Sequence, residues 1–149
     1  MNEPANPSSR DRWPLARVLI LILAGAFVGL MADIRVEHVD VVRDHAIAWL
    51  PIFYSGFMMI ACLIAFLFWN KTARLIMIPL FLAAFIIGGL GFYFHNDGNF
   101  KQVLKTSINA WTDPTMNHPD APPQDAPLAF AGLGVLGVLA SLKRFNPEK

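Results

Sequence analysis

The chain has 149 residues, 55% of them hydrophobic and only 15% charged, with a formal net charge of +1 at pH 7. Soluble domains carry about 25% charged residues, so this composition argues against a water-soluble fold, and near-neutral charge gives no case for a nucleic-acid partner. The single cysteine, Cys62, excludes an internal disulfide and any CxxC redox or zinc motif.

Residues 1–12, rich in Asn, Pro, Ser and Arg, read as a disordered tail. A first apolar run, about 15–32, holds only Arg17 as a charge. It is long, and Leu30-Met31-Ala32 is a poor cleavage site, so it reads as an uncleaved span rather than a signal peptide. Gly25 and Gly29 form a small-x-x-x-small notch on it, where another helix can approach closely. From Asp33 to Ala48 there is no Gly or Pro, and Ile34, Val41 and Ala48 share a helical period. This predicts a short acidic external helix, continuous with the first span or nearly so.

A second apolar run covers about 49–69, with Pro51 in its first turn and Cys62 at its middle. Trp49, Phe53 and Tyr54 suggest an aromatic belt at one surface, and Phe68 and Trp69 another at the far one. The turn 70–74 leads to a third run, about 75–94, so the second and third spans are expected to form an antiparallel hairpin. Pro79 predicts a kink near the start of the third run. Ala84, Gly88 and Gly91 supply a close-packing face on it.

Beyond His95-Asn96-Asp97-Gly98, the spacing of Phe100, Val103, Leu104, Ile108 and Trp111 predicts an amphipathic interfacial helix at about 99–111. A Pro-rich loop follows at 113–127, and a fourth apolar run at about 127–142. This last run contains Gly132-Leu-Gly134-Val-Leu-Gly137, a literal GxGxxG. A dinucleotide fingerprint needs a preceding strand and an acid some 20 residues on. Here the glycines sit inside an apolar run that ends at Lys143-Arg144, so Gly137 and Ser141 read as helix-packing residues instead.

Each run approaches the ~20 residues that span a ~30 Å hydrocarbon core, the fourth being short. The expected fold is therefore an all-α membrane bundle of four transmembrane helices, one domain over residues 13–145, with a short tail at 146–149. Charge orients it. With both termini inside, the cytoplasmic pieces hold Arg10, Arg12, Arg17, Lys71, Arg74, Lys143, Arg144 and Lys149. The outer pieces then hold only Arg35, Arg43, Lys101 and Lys105, as the positive-inside rule asks. No transit or retention signal is visible, which fits a bacterial inner membrane.

The chemistry-bearing residues collect on the outer side. His38 and His45 are seven apart, with Glu37 and other acids alongside, while His45 precedes the second span and His95 ends the third. If a metal is bound, His38, His45, His95, Glu37 and Asp97 are its candidate ligands, and His45 with His95 could ligate a haem. The competing expectation, a solvated polar cap with no cofactor, is the stronger one, because no tight spacing such as HExxH is present. No ionisable group sits at mid-membrane, as a transporter needs, and no nucleophile lies near a base. The sequence thus points away from an enzyme. Its packing faces exceed what four short helices use internally. They favour a non-enzymatic accessory subunit or assembly factor, embedded in lipid beside other membrane subunits, of an electron-transfer complex or a similar assembly. The alternative is a metal- or haem-binding redox protein.

Overall fold

A computed structural model describes residues 15–37, 39–95, 98–99, 101, 105, 108 and 126–142. Among the described residues the regular structure is all helical: α1 (Leu15–Glu37), α2 (Val39–Asp44), a 3-10 turn (Ala46–Ala48), α3 (Trp49–Leu67), α4 (Lys71–His95) and α5 (Ala126–Ser141). Helices α1, α3 and α4 are long and apolar enough to cross a membrane. Helix α5 is apolar but has 16 residues, about 24 Å at 1.5 Å per residue.

Each long helix buries one stripe at three- and four-residue spacing, the period that keeps side chains on one face. On α1 the stripe is Ala16, Ile20, Leu23, Ala24 and Phe27. On α3 it is Ile52, Ser55, Met58, Cys62 and Ala65. On α4 it is Arg74, Met77, Phe81, Ala84 and Gly88. On α5 Phe130, Gly134, Gly137, Ala140 and Ser141 face inward. The opposite faces carry exposed Ile, Leu and Phe side chains, as expected where the surrounding medium is lipid rather than water.

Contacts fall mainly into two pairs. Helix α1 packs against α3, and α4 against α5, while α1 with α5 and α3 with α4 share less. The expected hairpin of the second and third runs is therefore the weaker neighbour relation. Both pairs are antiparallel. Arg17 reaches Phe66 and Leu67 at one end of the first pair, and Met31 meets Gly56 toward the other. Gly91 faces Pro127, and Gly137 faces Phe81, along the second pair.

One aromatic side chain from each helix joins the two pairs. The rings of Phe27 and Phe81 lie 6.4 Å apart, Phe27 and Phe130 5.7 Å apart, and Tyr54 and Phe130 5.9 Å apart. Such spacings lie in the favourable range for offset and edge contacts. The Tyr54 hydroxyl donates to the Leu80 carbonyl of α4. That corrects the belt reading of Tyr54: it turns inward, while Phe53 stays exposed and stacks on Trp49 at 5.4 Å. Helix α4 runs through Pro79, whose missing N–H leaves the Leu75 carbonyl without its usual partner.

Boundaries differ by a few residues from the apolar runs. Helix α1 continues past Ala32 to Glu37, so part of the expected acidic helix is its last turn, and α2 is the remainder. Trp49 Nε1 donates to Val42 O at 3.1 Å, and Val42 is buried, which holds α2 against the start of α3. Helix α4 begins at Lys71, one turn earlier than its apolar run, because Asn70 Oδ1 accepts the Ala73 N–H at 2.9 Å and caps it. Of the expected interfacial helix, Lys101, Lys105 and Ile108 are described, helical and exposed. The tails and the Pro-rich loop lie outside the described residues.

Candidate functional site

The bundle has two chemically different ends. Helix α3 starts beside His45 and α4 finishes at His95, so the antiparallel fold carries both histidines to one end, away from Arg17, Lys71 and Arg74. His45 links α2 to the 3-10 turn with extended backbone, φ −129° and ψ 109°. Its carbonyl accepts the Ala48 N–H at 3.0 Å, and its ring is exposed without capping the turn.

His95 is half-buried at the last position of α4, with Nδ1 2.9 Å from the Gly91 carbonyl. A carbonyl only accepts, so Nδ1 carries the proton in that contact and the lone pair of a neutral ring lies on Nε2. This is the tautomer found in many metal-ligating histidines, whose second nitrogen is held by a backbone carbonyl. One such hydrogen bond is also an ordinary helix-end contact. After His95 the chain turns at Gly98, whose φ of 68° suits glycine and returns its N–H to Tyr93 O at 3.1 Å.

His38 and Asp97 lie outside the described residues, and Glu37 closes α1. Among the described residues, no three His, Cys, Asp or Glu side chains come together as a metal cluster. Asp33 and Asp44 are exposed.

The proposed packing residues separate into two groups. A Cβ on Gly88 would overlap Ala131 N and lie 2.8 Å from Pro127 O, and one on Gly91 would lie 3.1 Å from Pro127 Cβ. Ala84 is fully buried in the same stripe. From the α5 side, a Cβ on Gly137 would overlap the Phe81 ring, and Ser141 Oγ donates back to Gly137 O at 2.8 Å. By contrast, a Cβ on Gly25 or Gly29 would meet nothing within 4 Å. Their notch is exposed, beside Leu21, Ile22 and Val28.

Gly134, which the sequence pattern does not single out as a packing residue, also makes a close backbone approach to α4. Its Cβ would lie 2.6 Å from Phe85 N and 2.7 Å from Phe81 O. The signal is in the spacing: Phe130, Gly134, Gly137 and Ser141 recur at helical period, which puts Gly134 on the same face as Gly137. The interior hydroxyls were missed too. Tyr54 finds a carbonyl, but Ser55 Oγ is fully buried with no hydrogen-bond partner among the described residues. Cys62 is fully buried among apolar side chains, a setting that suits a small packing residue.

No family model matches this chain, and comparison with curated proteins and with solved structures likewise gave no match.

Proposed function

We propose that the chain is a four-span integral membrane protein, with both termini cytoplasmic, that serves as a non-enzymatic accessory subunit or assembly factor of a larger membrane complex. A bacterial inner membrane and an electron-transfer assembly are the setting that this reading favours. The three long apolar helices support the membrane placement. For α5, about 24 Å long, Lys143 and Arg144 just beyond it can reach a headgroup layer by extending their side chains.

The observation that carries the partner reading is the contrast among the glycines. Gly88, Gly91, Gly134 and Gly137 are consumed by the contact of α4 with α5. Gly25 and Gly29 leave an exposed groove on α1 that no described part of the chain fills. In lipid, such a groove favours a neighbouring helix, because close backbone approach gains dispersion contacts that lipid tails match poorly. A subunit needs no catalytic constellation of its own, and among the described residues His45 and His95 both lie at one end of the bundle.

The test is identification of proteins that co-purify after mild detergent extraction, comparing the parent with Gly25→Leu and Gly29→Leu. Loss of a specific membrane partner in both variants, with the isolated chain still folded, is the expected result. An unchanged partner set would overturn the α1 interface. Topology is checked separately by labelling single cysteines in a Cys62→Ser background. A cysteine at Thr72 should be shielded from an external reagent in intact cells, and one at His45 should react.

A further inference from the structure

Helix α1 turns one face outward along most of its length. Ile22, Gly25, Val28, Gly29, Ala32 and Val36 are all exposed and recur at three- and four-residue spacing, so they share one side of the helix. The middle of this face is flat, because two glycines and an alanine form it, and a Cβ on either glycine would meet nothing within 4 Å.

Two opposite charges mark the histidine end of the same face. Asp33 and Arg35 are both exposed there. At about 100° of turn per residue, Asp33 falls on one flank of the face and Arg35 on the other. Two apart on one helix, they do not face each other. A second copy of the chain matches this arrangement by symmetry. Two copies inserted the same way present parallel α1 helices, related by a two-fold axis along the membrane normal. Across such a contact each flank of one helix lies beside the opposite flank of the other, the relation that pairs flanking charges in parallel coiled coils. Asp33 of each copy then lies beside Arg35 of the other, and the pair forms twice. The Arg35 side chain, on the farther flank, is long enough to lean across.

We propose that the occupant of the α1 face is a second copy of this chain, in a parallel dimer centred on Gly25 and Gly29 and fixed by reciprocal Asp33–Arg35 pairs. The inference rests on the α1 interface proposed above and names what fills it; other subunits of the complex dock on the pair.

The full chain is tested in its membrane, in a Cys62→Ser background, with copper phenanthroline as oxidant. Ala32→Cys should give a disulfide-linked dimer. Leu90→Cys, exposed on α4 and equally far from the end of its helix, should not. Gly25→Leu or Gly29→Leu should remove the Ala32→Cys cross-link. The charges are tested by exchange between differently tagged copies. Asp33→Arg alone and Arg35→Asp alone each set like charges against each other, and each should self-associate at least about fivefold more weakly than the parent. Co-expressed, the two single variants should pair with each other as well as parent copies do. A mixed pair no stronger than either variant with itself overturns the proposal, as does equal cross-linking at Ala32→Cys and Leu90→Cys. If no self-cross-link forms but both leucine variants shed another membrane protein, that protein fills the face and only the second-copy inference fails. If the leucine variants shed neither, the α1 interface itself fails.

Discussion

Where α4 meets α5, backbone touches backbone; where α1 meets α3, side chains do the touching. The first contact is made by Gly88 and Gly91 on one helix and Gly134 and Gly137 on the other, each positioned so that a Cβ would press on the facing helix. The second buries Ile20, Leu23 and Phe27 of α1 and Met58, Cys62 and Ala65 of α3 in one core, and Arg17 closes it at one end by hydrogen bonds to Phe66 and Leu67. Glycine on α1 is turned away from that contact. The two pairs thus solve the same problem, adhesion without a hydrophobic drive, by close approach in one case and by interleaved side chains with a polar clamp in the other. A close-approach contact tolerates no added atom, whereas a side-chain contact can adjust rotamers. The pairs should therefore respond differently to substitution.

The largest expected effect is on the glycine pair. Gly134→Leu and Gly88→Leu would each drive a side chain into backbone atoms that cannot move aside, as Phe85 N, Phe81 O and Pro127 O are placed. Each should lower stability by about 3 kcal/mol or more, at the upper end of overpacking costs. Gly25→Leu should leave the isolated chain unchanged, since nothing lies within 4 Å of it. Thermal unfolding in detergent is the readout. If Gly25→Leu costs as much as Gly134→Leu in a monodisperse monomer, the contrast between the pairs is wrong.

Next comes the aromatic junction that both pairs share. Phe130→Ala removes the ring that touches Phe27 and Tyr54 at once. A loss of about 2–3 kcal/mol is expected, below the cost in the core of a water-soluble protein, because lipid does not drive the ring inward. The same loss in Phe53→Ala, whose ring is exposed beside Trp49, would show that the junction is no more than another aromatic contact.

Arg17→Gln addresses the clamp of the side-chain pair. It removes charge-assisted bonds to two carbonyls at the end of α3, where a cation also suits the helix dipole. About 1–2 kcal/mol should be lost, with fraying confined to the last turn of α3. Hydrogen exchange at Phe66–Phe68 is the local readout. A cost of zero would leave α1 and α3 held by their apolar faces alone.

Much of this architecture was legible in the residues, and the parts that were not share a cause. The apolar runs of the second and third spans locate α3 and α4 to within a turn, because lipid-facing and buried positions are alike apolar and only the ends turn polar. For the same reason the runs are silent on which face points inward. Tyr54 matches a belt residue by composition, and only the position of Leu80, 26 residues away, shows that its hydroxyl turns inward. The pairing of Gly88 with Ala131 likewise depends on a partner far along the chain. At the histidine end, sequence placed His45 and His95 near one surface, and the fold carries both to one end. Whether they act together depends on ring geometry and on His38 and Asp97, which spacing along a helix does not determine.

The smallest expected effect lies inside the side-chain pair and sharpens the comparison most finely. Ser55 is fully buried on the α3 stripe between Ile52 and Met58, and its hydroxyl has no hydrogen-bond partner among the described residues. A glycine there would permit the backbone approach seen between α4 and α5; a serine keeps a Cβ and adds a polar atom. If the hydroxyl is unsatisfied, Ser55→Ala removes a desolvated group without opening a large cavity, and stability should stay level or rise by about 0.5–1 kcal/mol. The hydroxyl can instead rotate to the carbonyl four residues earlier on its own helix, as membrane serines do. In that case Ser55→Ala should cost a few tenths of a kcal/mol, the size of a weak intrahelical bond. A loss above about 1.5 kcal/mol would mean that Ser55 holds a partner across the α1–α3 contact, and that this pair, too, relies on a specific polar link at its middle as well as at its Arg17 end.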